Sequence, residues 1–172
     1  MATRHLIQGE HAVSGHPDAV YSTILGSCIA CCLNDPTARV GGMNHFLLPD
    51  GDHEDGQSMR YGAYAMELLI NDMLKAGARR DQMQAKIFGG AKMFQGLNDV
   101  GASNAAFAQR FLLAEGIPVI GSSLGGLSAR RVQFWPAEGR ARQRFVTQDV
   151  PVEVRRAPAP APVDDGGEVE LF

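Results

Sequence analysis

STILGSCIACCLNDPTARVGGMNHFLLP, residues 22–49, is the segment that decides the fold of this chain. Cys28 follows a Leu-Gly-Ser turn and begins one apolar run, and His45 lies in a second apolar run that follows two glycines. Between the two runs, Asp-Pro-Thr-Ala at positions 35–38 is typical of a tight turn. Two apolar runs joined by such a turn predict a β-hairpin.

The register of this hairpin determines which side chains meet. With the turn centred between Pro36 and Thr37, Cys28 lies directly opposite His45. Directly opposed residues have Cβ atoms roughly 4.5–5.5 Å apart, so the thiol and the imidazole are predicted to meet on one face of the sheet. The glycine pair at positions 41–42 is a candidate for a bulge, which would shift the pairing by one residue and re-aim the histidine.

A cysteine beside a histidine is a chemically competent pair. The imidazole can lower the pKa of the thiol, protonate a leaving group and then deprotonate water. Ser22 and Thr23 lie upstream of Cys28, and either hydroxyl could turn back to orient the ring of His45. These residues predict a catalytic pair with one of the two hydroxyls as its third member.

The turn before the cysteine suggests a binding site for an oxyanion. Gly26 lets the backbone turn, so that the amides of Ser27 and Cys28 can point at negative charge developing on a substrate oxygen. The sequence therefore predicts Gly26 and Ser27 as the backbone part of the site.

The cysteines also have simpler interpretations. Buried cysteine is often a small apolar side chain, and histidine on an apolar strand is often an ordinary core residue. Cys28 and Cys31 form a CxxC pattern, but residues three apart in a strand point to opposite faces, and the chain has no second CxxC. Cys31 and Cys32 are therefore predicted to be packing residues. No metal and no other cofactor is expected.

Several motifs together resemble one known family. These are LGSCIACCLNDP, GGMNHFLLP, RYGAYAMELLINDMLKAGA, KIFGGAKMF, a Gly-Ala-Ser-Asn helix start near Asn104, and GIPVIGSSLGGLSARRVQF. In combination they resemble the chemoreceptor glutamine deamidases of bacterial chemotaxis, the CheD family. The resemblance extends from the N-terminus to about Val154.

The resemblance implies a cysteine hydrolase that converts glutamine side chains of methyl-accepting chemotaxis receptors to glutamate. Its nucleophile falls on Cys28 and its histidine on His45. The family's third position, usually a threonine six residues before the cysteine, falls on Ser22, with Thr23 next to it. It also implies a layered sandwich similar to cysteine-dependent deamidase toxins, and a chemotaxis phosphatase as a regulatory partner.

Two alternative functions remain open from the sequence. One is a non-catalytic docking module for the chemotaxis phosphatase. The other is a thiol amidohydrolase that acts on a different substrate, because the nucleophile would be the same.

Composition narrows the class of protein. The chain has 172 residues, of which 45% are hydrophobic and 20% charged, with a net charge of −3, so no nucleic-acid partner is expected. Its three cysteines cannot form a disulfide framework. There is no signal peptide and no run of about 18 apolar residues, so the expectation is a cytoplasmic protein without membrane insertion.

The remaining patterns predict an α+β domain in which mixed or antiparallel sheets are covered by two main helices. Helices are predicted at residues 59–76, ending at Gly77, and at residues 103–115, capped by Ser103 and ended by Gly116. The catalytic domain is predicted to span 1–154. Residues 155–172, rich in Pro and Ala and then acidic, are predicted to be a disordered linker and tail, with docking of the last five residues as the alternative. The other predicted segments are strands at 3–8, 20–25, 86–88, 117–122, 129–134 and 142–146, and loops at 9–17 and 50–58.

Overall fold

The computed structural model describes residues 3–49, 56–93, 99–146 and 169–172. In chain order the elements are β1 (Thr3–His5), β2 (His11–Ser14), β3 (Val20–Leu25), β4 (Ile29–Asp35), β5 (Val40–Asn44), α1 (Gly56–Lys75), a 3-10 turn (Arg80–Gln82), β6 (Gln84–Gly89), α2 (Val100–Glu115), β7 (Val119–Leu124), β8 (Arg130–Trp135), β9 (Arg140–Phe145) and β10 (Val169–Leu171).

Within these residues the strands form two mixed sheets of five strands each. The outer sheet has the order β1-β3-β8-β9-β10, and the central sheet has the order β2-β5-β4-β6-β7. The pairs β1/β3 and β6/β7 are parallel, and the other pairs are antiparallel. The predicted α+β class with layered mixed sheets and two main helices is confirmed.

The layers are stacked in the order helices, central sheet, outer sheet. Cys31 of β4 packs with residues of α1 and α2, whereas Cys32, its neighbour, packs with residues of the outer sheet. Successive strand residues point to opposite faces, so the central sheet is buried on both sides. Within the described residues, both helices lie on one face of the central sheet.

The predicted hairpin exists as β4 and β5, but its register is two residues away from the predicted one. Beyond the ends of the strands, Ile29 pairs with Phe46 through two backbone hydrogen bonds of 2.9 Å. Cys28 and His45 are therefore diagonal neighbours, and the prediction that they lie directly opposite each other is wrong.

The turn explains the different register. It comprises residues 36–39 instead of 35–38, because the carboxylate of Asp35 accepts hydrogen bonds from the amides of Thr37 (2.9 Å) and Ala38 (3.0 Å). Arg39 closes the turn with a left-handed φ of 59°. This side-chain capping of a turn moves its centre by one residue and the pairing by two.

The glycine pair at the start of β5 serves close packing, and the register between β4 and β5 shows no bulge. A Cβ atom on Gly41 would lie 2.2 Å from the carbonyl oxygen of Pro136, and one on Gly42 would lie 2.6 Å from the side chain of Val13. Only glycine permits these approaches.

The helices follow the predicted periodicity but begin earlier than predicted. α1 ends as predicted, because Gly77 has a φ of 106° and the amide of Ala78 donates to the carbonyl of Met73. For α2 the predicted cap at Ser103 is wrong. Asp99 is the N-cap, and its carboxylate accepts a hydrogen bond of 2.9 Å from the amide of Ala102.

Three other predictions need correction. The predicted loop at residues 9–17 contains β2. The strand predicted as buried at residues 117–122 is β7, whose residues are exposed or half-buried because it lies at an edge of the central sheet. The predicted disorder of 155–172 is wrong for 169–172, which pair with β9 as β10 and pack Phe172 against Phe88. Most of the predicted 50–58 loop lies outside the described residues.

Within the residues that the structure describes, no helix combines the length and the apolar character that a membrane crossing requires.

Candidate active site

His45 lies between the two sheets and contacts Thr23 of β3. Its Nδ1 atom is 2.8 Å from the hydroxyl oxygen of Thr23 and 3.4 Å from the carbonyl oxygen of Leu6. Its backbone is held on both sides, since its amide donates to the carbonyl of Glu10 and its carbonyl accepts from the amide of Gly9. The imidazole is therefore fixed by β3 and by the segment between β1 and β2.

These hydrogen bonds select one tautomer of the ring. The hydroxyl of Thr23 donates to the carbonyl of Leu6 at 2.6 Å, so its oxygen accepts the bond from His45. Nδ1 then carries the proton, and Nε2 keeps a free lone pair. This is the tautomer that a general base requires.

Ser22, the other hydroxyl predicted as a partner for the ring, points to the opposite face of β3. Thr23 shares its face with Tyr21, which packs in the core between the sheets. Ile24, on the face of Ser22, is 51% exposed. The structure brings Thr23 to His45 and does not bring Ser22 to it.

Cys28 lies at the end of the turn between β3 and β4 and is partly exposed. A register difference of two residues leaves a side chain on its original face, so Cys28 still points to the same side of the sheet as His45. Diagonal neighbours of this kind are roughly 7–8 Å apart, within reach of side-chain rotation. The thiol donates to the side-chain oxygen of Gln8 at a sulfur–oxygen distance of 3.8 Å.

The carbonyl groups of the Gly-Ser-Cys turn all accept hydrogen bonds, two from the segment that follows β6 and one from α2. The donors are the Ala91 amide to Gly26 (3.0 Å), the Asn104 side chain to Ser27 (2.8 Å) and the Gly90 amide to Cys28 (2.9 Å). In a trans peptide the C=O and N–H bonds point in opposite directions. The amides of Ser27 and Cys28, predicted to bind an oxyanion, therefore point away from these donors.

The glycine pair at positions 89 and 90 makes this arrangement possible. A Cβ atom on Gly89 would lie 2.1 Å from the carbonyl oxygen of Cys28, and Gly89 has a φ of 116°. The contact of this pair with the Cys28 backbone shows that it serves close packing.

Burial shifts the pKa values of Cys28 and His45 in opposite directions. It raises the pKa of the Cys28 thiol above its ordinary value. Burial also lowers the pKa of His45, against smaller opposing effects of its contact with Leu6 and of the Glu10 charge. The expected lowering of the thiol pKa by the histidine is therefore wrong for the resting protein, in which both groups are neutral near pH 7.

A cavity of about 240 Å³ opens beside the turn. It extends from Ser27 to the N-terminal end of α2, and Met93 lies over Gly26 at this position. Its described lining residues are Ser27, Leu47, Ala91, Lys92, Met93, Asp99, Val100 and Gly101.

Cys31, Cys32 and His11 have other surroundings or partners. Burial raises the pKa of Cys31 to about 12 and that of Cys32 well above its ordinary value. Both thiols are therefore neutral, in agreement with a packing role. His11 contacts Asp72 of α1 at 2.8 Å. Among the described residues, no three His, Cys, Asp or Glu side chains come together as a metal site would require.

Sequence reasoning missed two side chains that touch the site. Gln8 precedes β2, and no local spacing relates it to Cys28. Asn104 gave a usable signal, because it shares the core-facing stripe of α2 with Ala108 and Leu112 and is fully buried. A lone amide in an apolar stripe indicates a specific hydrogen-bonding role.

Comparisons with known proteins identify the family. Residues 47–145 match the family model described as CheD chemotactic sensory transduction. Proteins named "probable chemoreceptor glutamine deamidase CheD" from Caulobacter sp. and Acidiphilium cryptum are 66% and 56% identical to this chain, over 98% of it and 92% of each relative. A crystal structure from Neisseria meningitidis, described under family DUF152, is 12% identical, with a TM-score of 0.48 over 72% of this chain and 62% of the other. The family match and the full-length relatives show that this chain belongs to the CheD family.

Proposed function

We propose that this protein hydrolyses the side-chain carboxamide of glutamine residues in methyl-accepting chemotaxis receptors, giving glutamate and ammonia. The names of its relatives support this substrate. The observation that carries the mechanism is the Thr23–His45 hydrogen bond, which leaves Nε2 free on the face that bears Cys28.

In the first half of the reaction, the sulfur of Cys28 attacks the carboxamide carbon while Nε2 of His45 takes the thiol proton. The amide groups of Ser27 and Cys28 bind the oxyanion of the tetrahedral intermediate. His45 then gives its proton to the departing nitrogen, which leaves as ammonia, and a thioester remains on Cys28.

In the second half, His45 deprotonates a water molecule that attacks the thioester carbon. The C–S bond breaks, the sulfur recovers a proton from the imidazole, and a glutamate side chain is released. The net reaction consumes one water and releases one ammonia for each glutamine.

Thr23 acts through His45 in this proposal. Its hydroxyl holds the proton on Nδ1, so that Nε2 is the basic atom in each step. Because the Cys28 thiol is neutral at rest, proton transfer accompanies the attack and does not precede it.

The choice among glutamines depends on the receptor surface. The catalytic pair recognises only an amide, so the discrimination requires contacts around the site. The cavity beside Ser27 is the candidate for these contacts. Action on the cytoplasmic part of the receptors, and hence a cytoplasmic location, is part of this proposal.

A chemotaxis phosphatase as regulator remains a separate prediction from the family resemblance. The variant Cys28→Ala distinguishes the two roles, because it removes the nucleophile and leaves the rest of the surface intact. We expect this variant to lose deamidation and to retain phosphatase binding in a pull-down.

Intact-mass measurement on a purified cytoplasmic fragment of a chemoreceptor tests the function. Each deamidation makes the fragment about 1 Da heavier and releases one ammonia. We expect the mass to rise with the wild-type protein and with Cys31→Ala, a control that removes a buried thiol, and not with Cys28→Ala. An unchanged mass with wild-type protein that binds the fragment would overturn the deamidase proposal in favour of a docking module.

A further inference from the structure

We propose that Asn104 is a positioning residue that aims the oxyanion-binding amides of the catalytic turn. The inference rests on the deamidation chemistry proposed above. Asn104 acts through the backbone and does not touch the substrate.

Asn104 connects the two chain segments that carry the reacting groups. Its Nδ2 atom donates to the carbonyl of Ser27 at 2.8 Å, and its Oδ1 atom accepts from the amide of Leu48 at 3.1 Å. Ser27 immediately precedes Cys28, and Leu48 lies three residues after His45. Asn104 itself is fully buried, so both of its polar ends are used inside the protein.

The donor contact acts on the peptide unit that matters for catalysis. The carbonyl of Ser27 and the amide N–H of Cys28 belong to one planar trans peptide and point in opposite directions. Holding the carbonyl toward α2 therefore fixes the N–H of Cys28 in the opposite direction, away from α2. An oxyanion donor contributes most when its direction is fixed before the reaction.

Asn104 is the side chain through which this orientation can be tested. The neighbouring carbonyls of Gly26 and Cys28 are held by the backbone amides of Ala91 and Gly90, which substitution does not remove. Asn104→Asp keeps the shape and the acceptor for Leu48 but replaces the donor by a carboxylate oxygen, which repels the carbonyl of Ser27.

Two reactions of the same cysteine separate this role from a structural one. Deamidation passes through an oxyanion, whereas alkylation of Cys28 by iodoacetamide displaces iodide and forms none. Loss of the oxyanion geometry therefore slows the first reaction alone. A general disturbance of the turn or of His45 slows both.

The experiment compares Asn104→Asp and Asn104→Ser with wild-type protein, on a chemoreceptor cytoplasmic fragment and on iodoacetamide. We expect kcat for deamidation to fall about 10- to 100-fold, with KM and the alkylation rate of Cys28 changed less than about threefold. Mass mapping of the alkylated protein confirms that Cys28 is the residue followed.

Asn34→Asp is the matched control. Asn34 is also a buried asparagine whose Nδ2 donates to a backbone carbonyl, that of Pro136 at 2.9 Å, but outside the catalytic turn. It should lower the melting temperature and leave kcat within about threefold of wild type.

Three outcomes would overturn the inference. The first is an equal loss of deamidation and alkylation, and the second is an unchanged kcat. The third is failure of both Asn104 variants to fold, which would make Asn104 a structural residue. Failure of the function itself gives a different result. In that case Cys28→Ala retains deamidation, or wild-type protein has none, whatever Asn104 does.

Discussion

The two faces of the central sheet pack against very different layers. The helical layer, between the central sheet and the two helices, is built mainly of apolar side chains such as Ile29, Leu69 and Phe107, with Asn44 and Asn104 among its few buried polar groups. The inter-sheet layer, between the central and outer sheets, also holds buried polar groups. These are Thr23, His45, Arg130 and Gln143.

The apolar and the polar side chains of these layers have different roles, the first in stability and the second in the proposed reaction. An apolar layer stabilises the fold through transfer of side chains out of water, at about 25 cal/mol per Å². Buried polar groups are tolerated only when they are hydrogen-bonded, as in the Thr23–His45 pair. Substitutions of apolar side chains in the helical layer should therefore reduce stability, and substitutions of the hydrogen-bonded polar groups around Cys28 and His45 should reduce activity.

Arg130 shows how the inter-sheet layer accommodates charge. The residue is buried on β8, which lies inside the outer sheet. Its guanidinium donates to the carbonyls of Ser123 and Gly125, and it lies 5.1 Å from the ring centroid of Phe145.

The largest effect is expected at the nucleophile. Cys28→Ala should lower kcat for receptor deamidation roughly 10⁴- to 10⁶-fold, because no other group can form the thioester. Its free energy of unfolding should change by less than about 1 kcal/mol, since the thiol is partly exposed. Ammonia release and urea denaturation measure the two quantities, and substantial residual activity would contradict the assignment.

The helical layer should respond in the opposite way. Leu69→Ala should lower the free energy of unfolding by about 2–5 kcal/mol, because the side chain is fully buried. Below the melting temperature, kcat should stay near the wild-type value. The control is Leu113→Ala, since Leu113 is 82% exposed on α2. A large loss of kcat in folded Leu69→Ala would remove the distinction between the layers.

Thr23 and Ser22 allow a sharper comparison, within one strand. Thr23→Val should lower kcat about 10- to 100-fold, because a buried hydrogen bond to the ring is lost, a cost of about 1–3 kcal/mol. Thr23→Ser should restore most of the activity. Ser22→Ala, on the other face, should stay within about threefold of wild type. Steady-state kinetics would refute the assignment if Ser22→Ala were the more damaging variant.

The pH dependence of kcat follows from the neutral resting state of Cys28 and His45. The lowered pKa of His45 keeps the base neutral to below its ordinary value of about 6.5, so kcat should fall only on the acid side of that value. The free energy of unfolding should also decrease as pH falls. The unfolded histidine binds a proton more readily, so the contribution of neutral His45 is complete above pH 6.5 and decreases as pH falls toward the folded pKa.

The pH dependence of Cys28 alkylation tests the protonation state of the thiol. Because its pKa is raised, the rate of reaction with iodoacetamide should keep rising above the ordinary thiol pKa. A rate that is flat between pH 6 and pH 8 would indicate a preformed thiolate–imidazolium pair and contradict the neutral resting state.

A smaller effect is expected at the end of the chain. Phe172 packs edge-to-face on Phe88 with centroids 5.2 Å apart, and exchanges two backbone hydrogen bonds with Ala141. Phe172→Ala should lower the free energy of unfolding by about 1–2 kcal/mol, less than a core phenylalanine. Leu171→Ala is the exposed control. Equal melting temperatures for both variants would show that the tail adds no stability.

Local signals predicted much of the fold. Periodicity located α1 and α2, Gly77 and Gly116 ended them, and β3 has the predicted bounds. The Gly-Ser-Cys turn between β3 and β4 could also be located from residue order alone. These features depend on neighbours within a few residues.

The errors came from interactions that the local pattern does not contain. The side chain of Asp35 caps the hairpin turn and changes its register. The choice between Ser22 and Thr23 depends on which face of β3 meets the central sheet, a property of the sheet packing. The two apolar residues at the end of the tail suggested docking as an alternative to disorder, but the place where Phe172 packs, between the two sheets, depends on the tertiary structure.

Covalent trapping on Cys28 tests the central claim most directly. The protein is mixed with a receptor peptide that contains a target glutamine, quenched in acid during turnover, and weighed intact. We expect an adduct with the mass of the peptide less ammonia, located on Cys28 and absent from Cys28→Ala. An adduct on a different residue, or deamidation by Cys28→Ala at the wild-type rate, would contradict it.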